Sequence, residues 1–233
     1  MKSLYSSIFF WGVFVFWMTG FVLVLNTNQL ELHKHLNGFN NSFFDVVVPY
    51  ATYLGDGFFA ILLVVILYFV QKKYSLILLL SFLISSGIAQ FLKHVVFPNV
   101  MRPIHYFQND ACFHLVKGVV MHSQNSFPSG HATTCFAIFT TLVLFWKENL
   151  RLQAIFAICA ILFALTRVYL SQHFLEDVLA GSFIGTFTAL VIGIYLPETR
   201  FIKKLELWCL ILWRLPCDQR INQHRPIFFH HHK

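Results

Sequence analysis

Long runs without a charged residue alternate with short polar interruptions along this chain. No Asp, Glu, Lys or Arg lies between Ser3 and Leu30, and Ser7–Leu25 is nearly all apolar. Further gaps run over Gly57–Gln71, Tyr74–Leu92, Gly118–Trp146, Leu152–Thr166 and Val178–Pro197. The Gly57–Gln71 gap extends backwards through Val46–Leu54, with Asp56 inside it. In Gly118–Trp146 the stretch Ser123–Pro128 is polar and broken by proline, so a helix is expected only after Ser129. A hydrocarbon layer about 30 Å thick takes about 20 helical residues. The gaps therefore predict six transmembrane helices and an all-α integral membrane bundle. The apolar core of the first run exceeds the ~7–15 residues of a secretory signal and no small-x-small site follows it, so it is expected to be a retained span.

Two segments flank this core. Asn26–Phe44 mixes Leu30, Leu36, Phe39 and Phe43 with polar residues, which suits a helix lying on the outer interface. Ile202–Leu215 is too short to span comfortably and carries Lys and Trp, as an inner interfacial helix does. For both, membrane anchoring is the expected role. With no internal repeat or linker, residues 1–200 read as one six-helix domain and 201–233 as a cytoplasmic interfacial helix and tail. The closing Phe-Phe-His-His-His-Lys is read as tail, not as a metal site.

Composition strengthens the membrane reading. Hydrophobic residues make up 57% of the 233 and charged residues 12%, half the share of an average soluble domain. A chain with 28 Phe and so few charges is neither soluble nor disordered. Charge also orients it. With six spans, both termini and the loops at Gln71–Lys73 and Lys147–Arg151 share a side that holds 12 of the 17 Lys and Arg. The other side holds Lys34, Lys93, Arg102, Lys117 and Arg167. The positive-inside rule makes the termini cytoplasmic. The net charge of +7 is then a matter of topology and anionic headgroups, and no nucleic-acid-binding motif is present. The five cysteines have no metal-binding spacing, and an intramolecular external disulfide is not expected.

The outer-side cations run against the orientation signal, so something local must want them. Lys93 sits where the third span ends, Arg102-Pro103 follows in the next loop, and Pro128-Ser129-Gly130-His131 opens the fourth helix. Arg167 ends the fifth helix, and His173 and Asp177 start the sixth. Singly, each has an ordinary reading: a snorkelling Lys, a Ser cap, a polar loop His. Together, four distant segments deliver Lys, Arg, His and Asp to one membrane face. Such a set suits phosphoryl transfer. Three cations can hold the oxygens of a phosphate, and the backbone amides of a helix start at Ser129–Gly130 add donors. One His can attack phosphorus while another protonates the departing oxygen. Asp177, four residues after His173, is expected to face it along one helix side. No carboxylate cluster for Mg²⁺ is visible, so metal-free catalysis without a cofactor is expected.

Lys93…Arg102-Pro103, Pro128-Ser129-Gly130-His131 and Thr166-Arg167-x5-His173-x3-Asp177 resemble the three signatures of the type 2 phosphatidic acid phosphatase family. The resemblance implies that His173 is the nucleophile forming a phosphohistidine and that Asp177 orients it. It implies that His131 is the acid for the leaving alcohol and then the base for water. Lys93, Arg102, Arg167, Ser129 and Gly130 would hold the phosphate. Two departures stand out. Eight residues separate Lys93 from Arg102 where the family has six, and Thr166 stands where Ser is usual. Arg167 and His173 are six apart, so the fifth helix must end near Arg167 for both to serve one site.

The expected activity is release of phosphate from a lipid phosphate or diphosphate at the outer face of a bacterial inner membrane. Undecaprenyl diphosphate, phosphatidate or phosphatidylglycerophosphate, and lipid A phosphates are the candidates. Membrane lipids are the expected surroundings, with no obligate protein partner. A phosphotransferase with the same residues and a non-catalytic lipid-binding protein are the alternatives. The outer loop between Pro103 and Phe127, with His105, Tyr106, Asp110, His114, Lys117 and His122, is a candidate for headgroup choice. Asp56 is read as a turn and helix start.

Overall fold

The structure, a computed structural model, describes residues 7–196. Among these, helices α1 (Ile8–Asn26), α2 (Gln29–Asn37) and α3 (Ser42–Ala51) come first. A 3₁₀ turn, Thr52–Gly55, leads from α3 into α4 (Gly57–Val70). Helix α5 (Lys72–Phe91) continues into a π-helical turn, Leu92–Val96, and α6 (Pro103–Phe107) is a single short turn. Helices α7 (Gly130–Phe145), α8 (Leu150–Tyr169) and α9 (Leu175–Tyr195) complete the set. The predicted segment Ile202–Leu215, the tail beyond it and the terminal His run lie outside the described residues.

The helix starts follow from their caps. Asn28, Asn41, Asp56, Ser129 and Asn149 each accept a hydrogen bond from a backbone N–H of the first turn through the side chain. Asp56 is thus the N-cap of α4, as read from the sequence. Pro49 lies inside α3, and α3 with its 3₁₀ turn meets α4 at a 55° bend.

The expectation of six spans is met in part. Helices α1, α8, α9 and the continuous Lys72–Val96 segment are long and apolar enough to cross a membrane, and the bent α3–α4 pair makes a fifth if it is one span. Helix α7, where the fourth span was expected, has 16 residues and falls short of that length. Outward-facing apolar side chains such as Phe58 and Phe69, both 82% exposed, are what a helix in lipid presents.

Helix α7 is the buried centre: every residue from Ala132 to Thr141 is buried. It packs most extensively on α9, and also on α5 and α8. Close approach of α7 and α9 rests on small residues, since a Cβ at Gly181 or Gly185 would overlap the backbone carbonyl of Ser129 or Thr133. This contact brings the N-terminal ends of α7 and α9 side by side, and both carry signature residues.

Candidate active site

The site is assembled from the ends of four elements. The π-helical turn after α5 carries Lys93, which is buried and whose ammonium makes no hydrogen bond to a described residue. Lys93 lies within electrostatic range of Arg102, Arg167 and Asp177. The extra residues therefore do not remove it from the cluster.

Arg102 is held by the backbone on both sides. Its N–H donates to the Ser123 carbonyl at 2.9 Å, and Ser126 N–H donates to the Val100 carbonyl at 2.9 Å, tying the two segments together. The guanidinium donates from Nε to the Gln124 carbonyl at 2.9 Å and from Nη1 to Gln172 Oε1 at 3.0 Å. Burial lowers the Arg102 pKa from its ordinary value, with Asp177 acting in the opposite direction. Even lowered, an arginine keeps its charge at neutral pH.

Helix α8 carries Arg167 in its last turn and ends at Tyr169, as the six-residue spacing to His173 demands. The chain then turns tightly. Ser171 adopts φ +53°, and the N–H groups of Gln172 and His173 return to the Arg167 carbonyl at 2.9 and 3.2 Å. This turn folds His173 back beside Arg167. Arg167 Nη1 donates to Thr52 Oγ1 at 3.0 Å, while its Nε is buried with no partner among the described residues. The Thr166 hydroxyl bonds to Thr52 Oγ1 at 3.1 Å, so the hydroxyl kept at that position has a structural task.

The His173–Asp177 pair forms, at 3.3 Å between Nδ1 and Oδ2, but not as neighbours on one helix face. His173 precedes the helix, Phe174 is the N-cap, and Asp177 is in the first turn of α9. The carboxylate Oδ2 reaches back to accept the Phe174 N–H at 2.9 Å and the Ser126 hydroxyl as well. Asp177 is therefore locked before it meets the imidazole. Its backbone carbonyl accepts the Ser129 N–H at 3.0 Å, tying the start of α9 to that of α7. His173 is buried, and its pKa lies well below 6.5 because of burial first and then the charges of Arg102, Arg167 and Lys93.

Helix α7 presents its N-terminus to the same place. Ser129 caps it, accepting from Ala132 N–H, so the hydroxyl is engaged in the helix start. Nothing lies within 4 Å of a Cβ built on Gly130, which leaves open space on that side of its backbone. His131, half-buried, is within electrostatic range of Arg167, His173, Arg102 and Asp56. The sequence-predicted residues Lys93, Arg102, Ser129, Gly130, His131, Arg167, His173 and Asp177 thus converge on one end of the bundle.

Sequence reasoning missed four contributors. Ser126 braces Asp177, Gln172 braces Arg102, and Thr52 braces Arg167; Asp56, assigned only a cap, also faces Arg167 and His131 electrostatically. Gln172 lies inside the third signature and Ser126 two residues before the second, so their polarity next to a motif was a usable signal. Thr52 offered none. The outer loop is tied to the site through Ser123, Gln124 and Ser126, and its earlier part to the first helices: Asp110 pairs with Lys34 at 2.6 Å and His114 with Asp45 at 2.9 Å. Cys112, Cys135 and Cys159 are free thiols.

Comparison with known proteins places these motifs in a broader context. The PAP2 superfamily model matches residues 74–201, more than half of the chain. A lipid A 1-phosphatase of Rhizobium johnstonii is 31% identical over 121 residues, covering 52% of this chain and 47% of that protein. A second, from Rhizobium etli, is 36% identical over 80 residues, 34% of this chain and 33% of that one. The chain spans less than half the length of these curated relatives. The crystal structure of Aquifex aeolicus LpxE is similar with a TM-score of 0.63 and 26% identity, over 74% of this chain and 99% of that one. A PAP2-type phosphatidylglycerolphosphate phosphatase from Bacillus subtilis shares the fold, with a TM-score of 0.59 at 24% identity over 81% of this chain and 96% of that one.

Proposed function

The chain belongs to the PAP2 superfamily, and on that premise we propose that it is a metal-independent lipid phosphate phosphatase acting at the outer face of a bacterial inner membrane. The observation that carries the reading is the charge imbalance of the site. Three cations face two carboxylates, Asp177 beside Lys93 and Arg102, and Asp56 beside Arg167, and neither the Lys93 ammonium nor Arg167 Nε has a hydrogen-bond partner among the described residues. Buried cations in excess of their counter-charges are costly, and a phosphate dianion supplies the missing charge and the missing acceptors together.

In the proposed reaction, Nδ1–H of His173 donates to Asp177 Oδ2, which leaves the Nε2 lone pair free to attack phosphorus. The P–O bond to the lipid breaks as the P–Nε2 bond forms, and His131 delivers its proton to the departing oxygen. His131, now basic, takes a proton from water, whose oxygen attacks the phosphohistidine. Inorganic phosphate leaves and His173 is restored. The charge that builds on the phosphoryl oxygens is met by Lys93, Arg102, Arg167 and the Gly130 amide at the N-terminus of α7. The cations fill the role a metal plays elsewhere.

Six crossings, with α3–α4 as one bent span and α7 as a short one, put both termini in the cytoplasm and this site outside. The 12-to-5 division of Lys and Arg supports that orientation. Similarity to the lipid A 1-phosphatases and the fold shared with the phosphatidylglycerolphosphate phosphatase support two substrate classes ahead of the others. The test is phosphate release by purified protein in detergent from lipid A, phosphatidylglycerophosphate, phosphatidate and undecaprenyl diphosphate. Release from at least one, abolished by His173→Ala, is expected. No release from any of them rejects the reading.

A further inference from the structure

Helix α2 lies outside the residues matched by the family model, yet it reaches the turn that presents His173. Sequence alone assigned this helix to membrane anchoring. Its buried face carries Leu32, His33 and Asn37, and two of these are polar. His33 is 2% exposed and Asn37 is 8% exposed. Burying such groups is unfavourable unless they are hydrogen-bonded, so their partners indicate what the helix does.

Both converge on one hydroxyl. His33 Nε2 lies 3.2 Å from Ser171 Oγ, and Asn37 Nδ2 donates to the same oxygen at 3.3 Å. Ser171 is the left-handed residue of the turn between Arg167 and His173, and it is buried. A serine in that conformation has no intrinsic preference for it; two external bonds to its side chain hold it there. The Asn37 amide also exchanges two bonds with the backbone of His114, at 2.8 and 2.9 Å, which fixes its orientation. The His33 ring stands edge-on to Phe174 at 5.2 Å between centroids, and Phe174 donates the N–H that locks Asp177. Phe107 and Phe113 stack on the same His33 ring at 6.0 and 5.9 Å.

We infer that His33 and Asn37 are positioning residues that act through Ser171, so that α2 holds the Arg167–His173 turn in the geometry from which His173 attacks. This rests on the proposed role of His173 for its kinetic consequence. The geometric part, that α2 pins the turn, stands independently of the reaction.

The test separates the two. His33→Phe keeps the ring in the aromatic stack and removes the bond to Ser171; Asn37→Leu keeps the volume and removes its bonds; Ser171→Ala removes the shared hydroxyl. In hydrogen exchange on the full chain in detergent, the two α2 variants should speed exchange of the 170–174 segment and leave the α7 segment 132–141 unchanged. This readout needs no substrate. In phosphate release, each should lower kcat roughly tenfold with KM within about twofold, the scale of a lost positioning bond. His33→Phe added to Ser171→Ala should lower kcat no further, and His33→Gln, which restores a polar group near Nε2, should recover part of the rate. Unchanged exchange at 170–174 in both α2 variants, or additive losses in the double variant, overturns the inference. If the wild-type protein releases no phosphate from any lipid, the function fails while the exchange result still decides the role of α2. A variant that does not fold is replaced in the comparison by Ser171→Ala, which deletes a single buried oxygen and must itself speed exchange at 170–174.

Discussion

Asp177 shows how much of the site is held by groups that take no part in the proposed chemistry. Its Oδ2 meets the Ser126 hydroxyl, the Phe174 N–H and His173 Nδ1, so the imidazole orientation is set by a carboxylate that cannot swing. Asp177→Asn preserves the shape and puts an N–H or a weaker acceptor opposite Nδ1. Steady-state phosphate release should fall about 10²–10⁴-fold, as when an orienting carboxylate is neutralised elsewhere. Gln172→Leu frees Arg102 Nη1 from its side-chain acceptor without removing the cation. Its effect should fall on KM, by about three- to tenfold, with kcat little altered; a lower kcat at constant KM would contradict this assignment. His33 gives a pH signature. Burial lowers its pKa from 6.5 to about 4, so the unfolded chain takes up a proton between those values before the folded one does. Stability from this group is complete above pH 6.5 and is lost as pH falls towards about 4, by about 3 kcal/mol. Melting curves should show a shallower acid decline for His33→Phe than for the wild type over that window.

At the scale of elements, what was legible in the sequence depended on whether a feature is written locally. Charge gaps marked α1, α4, α5, α8 and α9, and the Ser129-Gly130 start of α7 was readable because a cap is a local motif. The end of α8 near Arg167 followed from arithmetic on helical spacing. The cap geometry of Asp177 was misplaced onto a helix face, because an i, i+4 spacing does not reveal that the helix begins between the two residues. Thr52 and the buried face of α2 were illegible for a different reason: their partners, Arg167 and Ser171, are more than 100 residues away. Helix packing makes its own prediction. Gly185 lets α9 touch the α7 backbone at Thr133, and Gly185→Leu should cost roughly 1–3 kcal/mol or more by overpacking. It should lower activity too, because the same contact sets the distance between His131 and His173. Thermal melting in detergent alongside phosphate release checks both.

For the whole molecule, orientation and charge make complementary demands. A Cys introduced at Gln124, in the segment that holds Arg102, should react with an impermeant thiol reagent added outside intact cells, and labelling from the cytoplasmic side alone would reverse the topology. Activity should withstand EDTA; loss on chelation with recovery on adding Mg²⁺ would contradict a site whose cations are all side chains. The length of α7 has a consequence for the depth of the site. Sixteen residues at about 1.5 Å each span some 24 Å, against a hydrocarbon layer of about 30 Å. With its Lys147 end at the inner headgroups, α7 would hold Gly130 and His131 several ångströms beneath the outer boundary. Because longer helices enclose α7, the lipid does not follow its length; the site instead lies in a protein-lined recess that a lipid's phosphate enters by sinking a few ångströms below its neighbours.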